Sequence, residues 1–421
     1  MKIKEKETSR IRKERTSRET GGQKKESIRE QRRRQRRRRV LRIRVAIAGG
    51  VLIVVLASVV GFTLMNREKQ EKKAKEKQEQ LVKTDVQKVP HLSFDTLVVN
   101  AEAAGSDGIT VDEFNQMLQT LYDQDYILVS IHDLAEISGG ESGTMQPADL
   151  ELPEGKKPLV ISQNDVSYPL TLPAGGYASR LLVDESGTLV SEYHQTDGTV
   201  VTGAYDVVSC LEAFLKEHPD FSWQGARGIL GISGSSGILG YRTDEIFGKT
   251  EEEGNPYAAA YGTFDTAAET EEAKTVLQAL RDSGWEIACQ GYSGISYASE
   301  YDLVTADMEQ WKQKTEPVAG STDILLYPQG TDIASWKDYS EENQKFAYLK
   351  EQGFDYFCNL DPNPYWVQIR DTYLRQGRIE ARNFFSGESD TDTPESLETE
   401  TIAPETQQET DTSGEETEPE E

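Results

Sequence analysis

The sequence predicts an α/β protein built on a parallel sheet or barrel. Three observations carry that reading. Short apolar, β-branched runs alternate with segments at helical spacing from about residue 89 to residue 385. Short turns join them, as serial βα units with right-handed crossovers require. One run, Leu159-Val160-Ile161, is continuous rather than alternating, the pattern of a strand buried on both faces.

Taken in order, Leu92 to Val99 reads as the first strand. Thr110-Val111-Asp112-Glu113 opens a helix with a capping box, and Phe114, Met117, Leu118 and Leu121 follow at helical spacing. Tyr126 to Ser130 is a strand, and Ile131-His132-Asp133-Leu134 begins another helix. The strand at 159–163 ends in the polar pair Asn164-Asp165, at the strand end where α/β barrels carry their chemistry. The stretch 178–202 reads as hairpins, with β-rich runs joined by Asp184-Glu185-Ser186-Gly187 and Gln195-Thr196-Asp197-Gly198. Asp206–His218 is an amphipathic helix, and Gly228–Ile232 and Gly237–Gly240 flank a Ser/Gly turn. A helix over Glu269–Arg281 precedes a strand at Trp285–Cys289. Ile324–Tyr327 is a strand ended by Pro328-Gln329-Gly330, Glu341–Gln352 a helix, and Tyr356–Asn359 a strand.

The net charge of −27 over 421 residues is an average of three unlike parts. Residues 1–44 hold 20 Lys+Arg against 6 Asp+Glu, residues 386–421 hold 14 Asp+Glu and no Lys or Arg, and residues 45–385 carry −27. Val45 to Met65 has no charged residue, and its 21 positions match the roughly 20 that a helix needs to cross a membrane. A signal peptide has a shorter apolar region and a small-residue cleavage site, and Asn66-Arg67 offers none. The expectation is therefore a single-pass cell-membrane protein: a basic cytoplasmic segment at 1–44, a transmembrane helix at 45–65 and the main body outside the cytoplasm. The basic block abuts the span, so it is read as a topology signal that attracts anionic membrane lipid, and no nucleic acid is expected. Residues 66–88, rich in Glu, Lys and Gln, are read as a charged helical stalk. Residues 386–421, rich in Glu, Thr, Ser and Pro, are expected to be a disordered acidic tail.

Several other features are weak on their own. Cys210, Cys289 and Cys358 are an odd, widely spaced set and read as buried inert thiols. The four histidines, His91, His132, His194 and His218, form no pair at ligand spacing and read as structural. Gly231-Ile232-Ser233-Gly234-Ser235-Ser236-Gly237 lacks the Lys of a phosphate loop and reads as a turn lining the barrel mouth. The group Tyr356, Phe357, Tyr365, Trp366 and Tyr373 is mostly core by spacing. Tyr365-Trp366 follows Pro362 and Pro364 in a loop, where rings could stack on sugars.

Five segments together resemble the polysaccharide deacetylases, the chitooligosaccharide-deacetylase homology group, over roughly residues 89–385. Val89-Pro90-His91-Leu92-Ser93-Phe94-Asp95 is similar to the family's first strand, and the unit from Ile109 to Leu134 to its second. Pro158–Val166 falls on its Thr-Phe-Asp-Asp-Gly strand. Gly284–Gly294 falls on its Glu-Ile-x-x-His-x-x-x-His strand, and Tyr327-Pro328-Gln329-Gly330 on its Tyr-Pro-x-Gly turn. The resemblance implies a distorted (β/α) barrel of about seven strands, with the hairpins near 178–202 as an insertion. It also implies a divalent metal such as zinc, held by one Asp and two His, that activates water against an N-acetyl group. A second Asp serves as base and a late His as acid.

Carried over position by position, the machinery is incomplete. Asp165 keeps the metal-binding Asp. Asn164 takes the place of the base, and an amide accepts no proton near neutral pH. Gln290 and Gly294 take the places of the two His, and no His follows His218 to act as acid. Val166 replaces the Gly after the pair, and Leu326 lies where an Arg is often found. Asp165 alone also reads as a strand-end carboxylate satisfied by loop N–H groups. The resemblance then implies a catalytically inactive deacetylase-like domain that binds cell-envelope glycan or peptidoglycan, with no cofactor and with Tyr327, Tyr365 and Trp366 as candidate sugar contacts. An active metal-dependent N-deacetylase with an atypical site, and a non-catalytic protein-interaction scaffold, are the alternatives.

Overall fold

In the computed structural model the described residues are 81–138, 143–172, 175–335, 337–362 and 366–386. They hold eight parallel strands that position the site: β1 His91–Phe94, β2 Tyr126–Leu128, β3 Lys157–Gln163, β4 Ile229–Ile232, β5 Glu286–Cys289, β6 Ile324–Leu326, β7 Tyr356–Leu360 and β8 Tyr373–Glu380. Seven of them close a ring in the order β1-β3-β4-β5-β6-β7-β8, with β8 pairing back to β1 through Ile379–Leu92 and Glu380–Ser93. This is the expected distorted barrel. β3 has three neighbours: one edge pairs with β1, and the other pairs first with β2 and then with β4. β2 is thus an eighth strand beside the N-terminal half of β3, outside the ring.

The sequence dictates most of this directly. Most of the strands are apolar on both their inward and outward faces because helices cover the outside. Val160, Ile229, Ala288, Ile324, Leu326, Cys358 and Leu374 form one cluster, while Leu92, Phe94, Leu159, Ile161, Leu230 and Ile287 join the helix-facing cluster. The longer helices are α1 Val111–Asp123, α2 Val207–Glu217, α3 Thr266–Ser283, α4 Tyr301–Gln310 and α5 Gln344–Glu351. The capping box forms as read: Thr110 N–H donates to Glu113 Oε2 at 2.8 Å, and Glu113 N–H to Thr110 Oγ1 at 3.1 Å. Such a cap contributes about 1 kcal/mol. Gly284 ends α3 in the left-handed region at φ 100°.

Some expectations change. The first strand begins at His91 and stops at Phe94, three residues into the expected run, and its continuation forms a loop over the barrel mouth. Ile131–Asp133 is a single 3-10 turn, capped by Ser130, rather than a helix. Leu81–Lys83 is a strand and Val86–Lys88 a 3-10 turn, so this end of the stalk region is not helical. The hairpins form a three-stranded antiparallel sheet, Ala178–Val183, Leu189–His194 and Val200–Gly203, packed on α2 and α3. The expected transmembrane helix at 45–65 and the tail beyond Ser386 lie outside the described residues, and among the described residues no helix is long and apolar enough to cross a membrane.

Candidate functional site

The C-terminal ends of the strands surround a cavity of about 420 Å³. Asn164 and Asp165 follow β3, Ser233 follows β4, Gln290 follows β5, and Pro328, Gln329 and Gly330 follow β6. Ser93 and Asp95 come from the end of β1, Leu360 ends β7, and Glu380 ends β8. Gly294 completes the wall opposite. The four positions carried over from the family resemblance, Asn164, Asp165, Gln290 and Gly294, therefore meet in one cavity.

Their side chains are engaged with one another. Asp165 sits in the left-handed region at φ 41°, a conformation that strains a residue with a Cβ by about 1–2 kcal/mol. The Asp165 N–H donates to Gln290 Oε1 at 2.7 Å, which holds the strained turn. The other end of the same amide, Gln290 Nε2, donates to Asn164 Oδ1 at 3.1 Å. Both ends of Gln290 are thus used as a cross-link between β3 and β5. Room for it comes from β4, where a Cβ at Gly231 would collide with Gln290 Oε1. Asp165 Oδ1 accepts from the Ser233 hydroxyl at 2.6 Å.

Beneath this layer lies Arg378, fully buried on β8. Its Nη1 donates to Asn164 Oδ1 at 2.7 Å and to the Ser93 and Ser162 hydroxyls, each at 3.3 Å. Its Nε and Nη2 have no partner among the described residues. No carboxylate bonds to it, and burial pushes the guanidinium down to about 10. Asn164 Nδ2 in turn donates to Asp95 Oδ1 at 3.0 Å and to Ser93 Oγ at 3.1 Å. Asn164 therefore bridges a buried cation and a carboxylate at the mouth.

This donor set does not fit the metal that the family resemblance implies. Gln290 has both amide ends committed, and Gly294 brings no side-chain atom; a Cβ there would meet nothing within 4 Å. Asp165 is the remaining ligand position, and among the described residues no group of three His, Cys, Asp or Glu is arranged to hold a metal ion. One carboxylate without imidazole or thiolate partners binds zinc poorly.

The aromatic candidates lie elsewhere. Tyr327 is fully buried, with its hydroxyl 3.0 Å from that of Tyr339, so it is a core residue rather than a sugar contact. The turn that follows it does reach the cavity, and Gln329 Nε2 donates to the Gly294 carbonyl at 2.9 Å. Trp366 stacks on the Arg375 guanidinium at 4.2 Å and does not line the cavity. Tyr365 lies outside the described residues. The hairpin sheet contributes no lining residue. The three thiols are buried, and burial pushes Cys210 and Cys358 up to about 12, consistent with inert side chains.

Sequence reasoning missed Ser93, Asp95, Arg378 and Glu380. Asp95 follows a strand with the spacing that marks Asn164-Asp165, so the same strand-end rule would have found it. Arg378 gave no signal, because a strand with Arg375, Gln376 and Arg378 does not read as buried.

No family model matches the chain, and no curated protein does. Among solved structures, the chain is similar to IcaB from Ammonifex degensii, at 13% identity and a TM-score of 0.35, covering 69% of this chain and 91% of that one. It is similar to the Streptococcus pyogenes deacetylase PplD in complex with acetate, at 14% identity and a TM-score of 0.35, covering 73% and 98%. A polysaccharide deacetylase from Bacillus cereus matches at 11% identity and a TM-score of 0.34, covering 73% and 69%. At such scores the likeness decides nothing about the chemistry of this chain.

Proposed function

We propose that residues 89–385 form a deacetylase-like barrel that binds cell-envelope glycan at its mouth without cleaving it. The observation that carries this reading is the double engagement of Gln290. A side chain at the position of a metal-binding His spends its carbonyl on the Asp165 N–H and its amino group on Asn164. Asn164, at the position of the base, is itself held by Arg378 and Asp95 and has no proton-accepting nitrogen to offer. Base, two ligands and acid are replaced together, while the cavity and its polar floor persist. A cavity of this size with converging polar groups suits one sugar unit.

The membrane anchor at 45–65, with the barrel outside the cytoplasm, belongs to the same proposal and rests on the sequence. It would place the mouth among envelope polymers, with the basic segment against anionic lipid. The test is co-sedimentation of the full-length protein, in detergent, with insoluble cell wall. The expected result is pelleting at moderate salt that soluble wall fragments compete away. A protein left in the supernatant at low and moderate salt would count against glycan binding.

A further inference from the structure

We propose that the barrel-mouth cavity takes an amino sugar whose amine is free and protonated, in preference to the N-acetylated sugar. This rests on the glycan-binding reading and adds the chemical class of the unit bound.

Three carboxylates reach the cavity from three strands: Asp95 after β1, Asp165 after β3 and Glu380 at the end of β8. Each is exposed at the mouth. Asp95 and Asp165 each use one oxygen within the protein, Oδ1 in both, and the Glu380 carboxylate makes no hydrogen bond among the described residues. One cation, Arg382, also lines the cavity, its Nη2 donating to the Gly108 carbonyl at 2.9 Å, so the mouth holds three carboxylates against one guanidinium. Arg378 lies beneath the lining residues Ser93 and Asn164 and is fully buried, so it does not meet the ligand itself.

A protonated amine meets this excess of carboxylates, because the ammonium gives them three charge-assisted donors. An N-acetyl group removes the charge and replaces three donors with one. The body as a whole favours the same ligand. Residues 89–385 hold 18 Lys+Arg against 48 Asp+Glu, a net of −30, which raises the local concentration of a polycation and disfavours an acidic polymer. A site without a base or a metal leaves such a ligand unchanged.

The test is calorimetric titration of the full-length protein with a glucosamine hexamer and an N-acetylglucosamine hexamer at neutral pH and moderate salt. The glucosamine hexamer is expected to bind about tenfold more tightly or better, a difference of about 1.4 kcal/mol. Asp95→Asn and Glu380→Gln, both at exposed positions, are expected to stay folded and shrink that preference. Equal affinity for the two hexamers would overturn the preference and leave glycan binding standing. Binding of neither would remove the glycan-binding reading and the preference with it. A preference unchanged in both variants would assign it to the acidic surface rather than the cavity, and would also overturn the proposal.

Discussion

Arg378 donates to the Asn164 side-chain oxygen across 2.7 Å, in a place where a buried guanidinium ordinarily meets a carboxylate. The carboxylate stands one residue further on, at Asp95, reached through the other end of the same amide at 3.0 Å. A carboxylate at 164 would face Asp95 and be repelled by it. This predicts a coupling. Asn164→Asp is expected to stabilise the protein more in an Asp95→Asn background than alone, by about 1 kcal/mol or more, as read from a double-mutant cycle in urea. Additive effects would mean that Asp95 and position 164 do not share the Arg378 charge.

Gly231 and Gln290 form a second pair. An added methyl at 231 would collide with the Gln290 carbonyl oxygen that holds the Asp165 turn. Gly231→Ala is expected to destabilise by about 1–3 kcal/mol, the range for overpacking. Gln290→Ala removes two buried hydrogen bonds and leaves the Asp165 N–H unpaired, also at about 1–3 kcal/mol. The two together are expected to cost less than their sum, because the methyl then fills the space the amide vacates. A fully additive pair would contradict the geometry.

At the other end of the barrel, His132 ties β5 to the start of β6. Its Nδ1 lies 2.5 Å from Glu286 Oε1, and its Nε2 lies 3.1 Å from Asp323. Burial alone would lower its pKa, but hydrogen bonds and charge from Asp323 and Glu286 raise it to about 10. A raised pKa contributes stability that is full below the unfolded value near 6.5 and is lost as pH rises through about 10. The ring is 41% exposed, so solvent screens the pair and its share stays on the order of 1 kcal/mol. Stability measured from pH 7 to 10 is expected to fall, and His132→Gln to flatten that fall. An unchanged slope in the variant would contradict the clamp. The seam it spans is thin, with a single paired position, Cys289 with Leu325, between β5 and β6.

Much of the barrel was legible because its strands are apolar on both faces. Leu159–Ile161, Trp285–Cys289, Ile324–Tyr327 and Tyr356–Asn359 all lie in or overlap ring strands. The closing strand β8 was not legible, since Gln376 and Arg378 place polar groups in the barrel interior instead of the expected apolar run. The extent of β1 was also misread: Asp95 ends pairing where Leu97, Val98 and Val99 continue the apolar pattern. Asn164, Asp165, Gln290 and Gly294 line one cavity because strand-end positions keep their place in the fold whatever their side chains. Tyr327 failed as a sugar contact because a strand's last aromatic points into packing as readily as into the mouth, and spacing cannot tell the two apart.

The central claim is that this mouth binds and does not cleave. The most direct measurement is acetate release from N-acetylglucosamine oligomers and from peptidoglycan by the full-length protein, with zinc supplied and with Asp165→Ala beside it. No acetate above the protein-free control is expected, and no difference between the two proteins. Turnover that Asp165→Ala abolishes would contradict it.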